Sequence, residues 1–227
     1  FENGTISVPQ SAGAGYITLK AVSYINGSQV TAEIEIADSR SVIVPHERQL
    51  AEVAQTEIDL SFASEYIGDN ATATYNGVIL GHGALNGGKL TVDLTQIGKT
   101  GELAFDIVSK KGGVYYKFDY NVLLATKIIR NAADMAAVRI TVEQLQNYTP
   151  IKGYYILGND IDFANAQLQT DFGNPISNLT GKYWNQNQGF RGTFDGMNHK
   201  ITNVRVGQGG IFGFVGEGAV IKNVDFE

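Results

Sequence analysis

The segments Ile201-Thr202-Asn203-Val204-Arg205-Val206 and Ile221-Lys222-Asn223-Val224-Asp225-Phe226 are near-copies whose first residues stand 20 positions apart. A period of that size is about one coil of a solenoid. Within each copy two apolar positions three apart (Ile201 and Val204, Ile221 and Val224) break the strict alternation of a strand, and an Asn stands at the break. Asn enters the left-handed region more readily than most residues, so each copy reads as strand, Asn corner, strand. Superposed on adjacent coils, the copies would set Ile201 on Ile221 in a shared interior. Asn203 would then stand on Asn223, with side-chain amides bonding along the stack.

Working outward, Tyr154 to Phe163 reads as a first coil, and Phe190-Arg191-Gly192-Thr193-Phe194-Asp195-Gly196 opens the second after a polar stretch that holds Trp184. Asn131 can cap a short helix through Ala132 to Val138, and Thr141 to Tyr148 can form another before Pro150. Helical cover over a first coil hides strand edges that would otherwise aggregate, so this stretch reads as a cap. No closing cap precedes Glu227, which suggests further coils in a longer protein.

Upstream, Tyr16 to Val22 and Val30 to Ile36 alternate on either side of Asn26-Gly27, a strong hairpin signal. Short strands follow at Val42 to Val44, Glu57 to Phe62, Ala71 to Tyr75, Val78 to Leu80, Lys89 to Leu94, Glu102 to Val108 and Val114 to Leu124. Turns at Asn76-Gly77, Asn86-Gly87-Gly88 and Gly112-Gly113 separate them, the punctuation of a small β-sandwich. The expected organisation is all-β: residues 1–40 as the last strands of a partial sandwich domain, 41–126 as an immunoglobulin-like β-sandwich, and 127–227 as the capped start of a parallel β-helix.

Composition agrees with a globular, turn-rich chain: 27 Gly, 4 Pro, 10% aromatic and 18% charged residues. A net charge of −6 offers no basic face for a phosphate backbone, so nucleic acid is not expected as a partner. With no Cys there are neither disulfides nor thiolate metal sites, and no apolar run is long enough to insert in a membrane.

From about Ile128 to Glu227 these residues resemble the GLUG-type repeats of bacterial cell-surface proteins, which fold as a right-handed parallel β-helix. The resemblance is carried by Tyr155 to Phe163, by Phe190-x-Gly-Thr-Phe-Asp-Gly-x-x-His-x-Ile-x-Asn-Val204, by Gly210-Ile211-Phe212-Gly213 and by Ile221-x-Asn-Val224. Residues 1–125 look similar to the bacterial immunoglobulin-like domains that often precede such repeats. The resemblance implies an extracellular, adhesin-like monomer whose solenoid binds a glycan or protein ligand. Two rival readings stay open: a β-helix polysaccharide lyase or glycoside hydrolase with its active site in other coils, and a structural spacer.

Candidate sites are few. Asn159, Asp160 and Asp162 present an amide oxygen and two carboxylates, a donor set suited to Ca²⁺; otherwise no cofactor is expected. Against that, Ile161 and Phe163 between and after them suggest a core-facing row with solvated acids. Asp195 could pair with Asp160 or Asp162 for glycoside hydrolysis, but an Asp before Gly196 is ordinarily a turn residue bonding its own backbone. Tyr183 and Trp184 could stack on a sugar ring or belong to the scaffold. Asn203, Asn223, Asp195 and Gly196 are assigned to the corners, and Arg205 above Asp225 reads as an ion pair between coils.

Overall fold

The computed structural model describes residues 15–22, 25–36, 38–138, 149–164, 189–204, 211–212 and 215–227. In these residues the protein is all-β, with strands β1 (Gly15–Val22), β2 (Gln29–Ile36), β3 (Asp38–Ser41), β4 (Gln49–Glu52), β5 (Glu57–Asp59), β6 (Asn70–Tyr75), β7 (Val78–Ala84) and β8 (Lys89–Thr91). The series continues with β9 (Gly101–Lys111), β10 (Val114–Ala125), β11 (Lys127–Ile129), helix α1 (Ala132–Ala137), β12 (Tyr154–Leu157), β13 (Ile161–Asp162), β14 (Thr193–Thr202) and β15 (Val220–Phe226). The chain divides into two compact units. Phe1–His46, Glu57–Val92 and Ala104–Tyr120 form the first, and Glu47–Thr56, Asp93–Leu103 and Asn121–Glu227 the second.

In the first unit β1 and β2 pair antiparallel from Gly15 with Ile36 to Val22 with Gln29. The Asn26 carboxamide oxygen accepts from the Ser28 amide at 3.1 Å, and Gly27 takes φ 68° at the turn. Between β6 and β7, Asn76 and Gly77 take φ 48° and 80°, the doubly positive pattern whose twist matches a two-residue hairpin. The main sheet runs β3-β10-β9-β6-β7, and β5 and β8 pair antiparallel apart from it. Ile58, Leu60, Leu90, Phe105, Ile107 and Phe118 are fully buried, each worth about 1.5–3 kcal/mol relative to exposure.

Two strand expectations shift for local reasons. The run Val42 to Val44 is unpaired beyond the Val42 amide, which donates to the Lys117 carbonyl at 2.9 Å; the paired strand is β3, and Pro45 has no N–H to extend it. The strand from Glu57 stops at Asp59 because its carboxylate accepts from the Ser61 amide at 2.8 Å and from the Ser61 hydroxyl. That turns the chain into the 3-10 turn Ser61–Ala63.

The second unit is built on parallel pairing. β11 pairs with β12, β12 with β14, and β14 with β15, so that Lys127, Tyr155, Phe194 and Ile221 share one column and Ile128, Ile156, Asp195 and Lys222 the next. Farther along, Ile161, Ile201 and Phe226 form a third column. β14 and β15 are therefore bent strands: β14 turns at Met197 and Asn198, with φ 53° and 66°, and β15 turns at Asn223, with φ 53°.

The register corrects the superposition drawn from the repeat. Ile201 lies beside Phe226, and Ile221 lies beside Phe194. Paired positions are 27 residues apart from Phe194 to Ile221 and 25 from Ile201 to Phe226, rather than 20. Asn223 stands against the first bend of β14, whereas Asn203, with φ 58°, closes β14 and donates its amide to the Glu227 carbonyl at 3.0 Å. The two copies share a kind of bend, which occurs at two different corners, and not a level in the stack.

The interior of this unit gathers Ile129, Leu157, Ile161, Phe190, Phe194 and Ile201, with Met135 of α1 among them. A second cluster, Leu123, Ala125, Ile128 and Ile156 with Tyr154 and Met197 alongside, covers the opposite face. Burial on both faces explains why β11 and β12 read as unbroken apolar runs rather than alternating ones. α1 begins at Asn131, whose side chain accepts from the Asp134 amide at 2.9 Å, while Asp134 accepts from the Arg130 amide at 2.9 Å. This is a reciprocal cap. The expected helix at Thr141 to Tyr148 lies outside the described residues.

Stacking at this distance demands glycine at two points. A Cβ on Gly192 would lie 2.3 Å from the Gly153 carbonyl oxygen, and one on Gly196 would lie 2.3 Å from that of Asn223 and 2.6 Å from the Val224 Cα. These neighbours are backbone, so Gly153 would have to move away in the first case and β15 would have to separate from β14 in the second. We expect Gly196→Ala to destabilise the second unit by about 1–3 kcal/mol. Asn198→Gly, at a bend where glycine is comfortable, should change it by only a few tenths of a kcal/mol. Urea unfolding followed by amide exchange in β14 and β15 measures both.

Candidate functional site

Asp195 is the best-organised polar residue of the second unit. It lies in β14, two residues before the bend at Met197, and is only 4% exposed. One carboxylate oxygen accepts from the Met197 amide at 3.0 Å and from the Asn223 carboxamide at 3.0 Å. The other accepts from the Tyr154 hydroxyl at 3.0 Å and lies 3.1 Å from the Lys222 ammonium. The first pair fixes the bend of β14 and ties it to β15; the second ties β12, β14 and β15 together.

The electrostatics follow from those partners. Burial is the largest single influence on Asp195 and pushes its pKa up, but the bonds from Asn223, the Met197 amide, Lys222 and Tyr154 together outweigh it and hold the group below 3.8. Tyr154 moves the other way, to about 12, through burial first and then through its bond to the Asp195 carboxylate. An ionised carboxylate with four donors is poorly suited to act as a general acid near neutral pH.

The proposed cation donors turn to separate partners. The Asn159 amide donates to the Arg130 carbonyl at 3.2 Å. Asp160 precedes β13 and is exposed; it accepts from the Lys200 amide at 3.0 Å and lies 2.9 Å from His199 Nδ1. Asp162 accepts from the Ala164 amide at 2.8 Å and from the Asn203 carboxamide at 2.8 Å. Both carboxyls are held below their usual pKa, Asp160 chiefly by the Lys200 amide and Asp162 chiefly by Asn203. Among the described residues, no three or more His, Cys, Asp or Glu side chains gather as a metal centre would need.

Asn203 and Asn223 thus do not bond to each other as the repeat suggested. Each donates to an aspartate of the neighbouring strand, Asp162 and Asp195. Gly196 stands beside Asp195 at the close approach to Asn223. Tyr183, Trp184 and Arg205 lie outside the described residues. Sequence reading missed Tyr154 and Lys222 as partners of Asp195; only the true register, which sets Lys222 beside Asp195, points to them.

No helix among the described residues is long and apolar enough to cross a membrane. A scan against protein-family models found no match, and searches of curated proteins and of solved structures found none either.

Removing the Asp195 carboxylate would strand four donors at once. Asp195→Ala should cost the second unit about 2–4 kcal/mol, read as a lower unfolding midpoint. The pH dependence follows from the sign of the shift: a carboxyl whose folded pKa is lowered adds stability that is complete above its unfolded value. That stability is lost as pH falls through the folded value. Unfolding midpoints should therefore drop below about pH 4, and less steeply in Asp195→Asn than in the parent.

Proposed function

We propose that this chain is part of a bacterial surface or secreted protein in which an immunoglobulin-like sandwich precedes a right-handed parallel β-helix of GLUG type. Its role is adhesive: the outer surface of the helix binds an extracellular glycan or protein and carries out no reaction. The observation that carries this reading is the parallel column Lys127, Tyr155, Phe194 and Ile221, with β14 and β15 both bent at left-handed residues. Successive parallel strands stacked over a shared apolar interior, with corners between them, are what a β-helix requires. Antiparallel pairing with doubly positive hairpin turns in the first unit supports a sandwich there.

The polar residues support binding over catalysis. Asp160, Asp162 and Asp195 each hold neighbouring strands together, and a carboxylate committed to four bonds is not available as one of the two acids of a glycosidase. The test applies the protein to a glycan array and a panel of extracellular-matrix proteins, with a reducing-end assay on every glycan bound. Binding to a restricted set without new reducing ends is the expected result. Release of reducing ends or unsaturated products would support the enzymatic reading, and binding to nothing would support a spacer.

A further inference from the structure

We propose that Asn26 is a site of spontaneous covalent modification, in which the Gly27 amide nitrogen attacks the Asn26 carboxamide and the residue ends as aspartate or isoaspartate. This is independent of the adhesive reading, since it concerns the exposed connection between β1 and β2 in the first unit. Glycine after asparagine favours the route because no Cβ hinders the approach of its nitrogen. Three such pairs lie among the described residues, Asn26-Gly27, Asn76-Gly77 and Asn86-Gly87, all in the first unit. They share a dipeptide and differ in what the fold does to it.

At Asn26 the carboxamide oxygen accepts from the Ser28 amide at 3.1 Å and from the Ser28 hydroxyl at 2.8 Å. The ring closed by the first bond runs from the Asn26 side chain through the Gly27 peptide to Ser28, which folds the Asn26 Cγ back toward the Gly27 nitrogen. Those two atoms must join, and the five-membered ring they close uses only atoms already in the larger one. Both Ser28 donors bond the oxygen on which negative charge develops during the attack, the arrangement that stabilises a tetrahedral oxyanion. A Cβ placed on Gly27 would meet nothing within 4 Å, so no neighbour crowds the reacting peptide.

The other two pairs are held in tighter frames. Asn76 and Gly77 are the whole connection between the paired Tyr75 and Val78 and take φ 48° and 80°. Asn86 is bridged to Lys89, its amide donating to the Lys89 carbonyl at 2.9 Å and its carbonyl accepting from the Lys89 amide at 3.1 Å. Each of these frames must open before the side chain reaches the next nitrogen, whereas Asn26 lies in the longer connection between the paired Val22 and Gln29. In the first step the Gly27 nitrogen gives its proton to solvent and bonds to Cγ. The Cγ–Nδ2 bond breaks, and the nitrogen takes a proton from solvent and leaves as ammonia. Water then opens the cyclic imide: cleavage at Cγ gives aspartate, and cleavage at the backbone carbonyl gives isoaspartate, whose main chain is longer by a methylene. Either product adds a negative charge to the connection, in a chain whose net charge is −6.

Incubation of the 227-residue chain at mildly alkaline pH, in buffer and in concentrated urea, with each asparagine followed by peptide mapping, tests this. Conversion gains about one mass unit, and fragmentation of the peptide separates aspartate from isoaspartate. In buffer Asn26 should convert about tenfold faster than Asn76 or Asn86, because only there is no paired turn to open. In urea the three rates should agree within about threefold, which assigns the difference to the fold. Ser28→Ala removes the hydroxyl donor and should slow Asn26 about threefold in buffer, and Ser28→Thr should restore the parent rate. Asn76 and Asn86 belong to the same unit and report on its folding, so their rates should not change in either variant. Were a variant to unfold, both would accelerate with it, and the comparison of buffer with urea in the parent chain decides. Equal rates at the three sites in buffer, a preference for Asn26 that persists in urea, or an unchanged Asn26 rate in folded Ser28→Ala overturns the proposal.

Discussion

Parallel strands can stack only where the backbone of one bend is free to approach the next, and in the second unit that freedom is concentrated at Asp195-Gly196. Gly196 admits the Asn223 carbonyl to a distance that no side chain would permit, and Asp195 then satisfies the donors that the approach brings together. Met197 and Asn198 accept left-handed conformations immediately afterwards, Met197 at a cost that the Asp195 bond to its amide helps to offset. The interior columns of Phe194 with Ile221 and Ile201 with Phe226 follow from this bend, because it decides which residues of β14 and β15 come level.

A common logic governs the polar residues that invite a functional interpretation. Asp160 engages His199 and the Lys200 amide, Asp162 engages Asn203, and Asp195 engages Tyr154, Lys222 and Asn223. In each case a carboxylate receives donors from the neighbouring strand, and each is held below its usual pKa by those donors. Acidic residues alternating with amides along bent parallel strands are then a structural grammar, in which stability is coupled to the ionised state of the aspartates.

Much of the fold was legible in the sequence where a single local rule decided it. Asn76-Gly77 fixed a hairpin because a two-residue turn requires positive φ, and Asn131 fixed the start of α1 because its side chain reaches the Asp134 amide. The bent-strand character of Ile201 to Val204 and Ile221 to Val224 was legible for the same reason. Their relative level was not, because register depends on how long the intervening loops are and on which backbone can approach which, and neither is a property of the repeated residues. The role of Asp195 was hidden for the same cause: Lys222 and Tyr154 are remote in sequence and meet it only once the columns are set. Ile128 and Ile156 face a second apolar cluster that periodicity cannot separate from the first.

The register can be read directly by cross-linking, since the chain contains no cysteine of its own. Lys200 and Asp225 are paired and exposed, whereas Thr202 and Lys222 are the positions that the 20-residue repeat would bring level. Under mild oxidation, Lys200→Cys with Asp225→Cys should close an intramolecular disulfide, detected as the loss of two hydrogens in the intact mass, because neighbouring strands fall within disulfide reach. Closure of the Thr202→Cys and Lys222→Cys pair instead, with the first pair remaining reduced, would contradict the stacking described for the second unit.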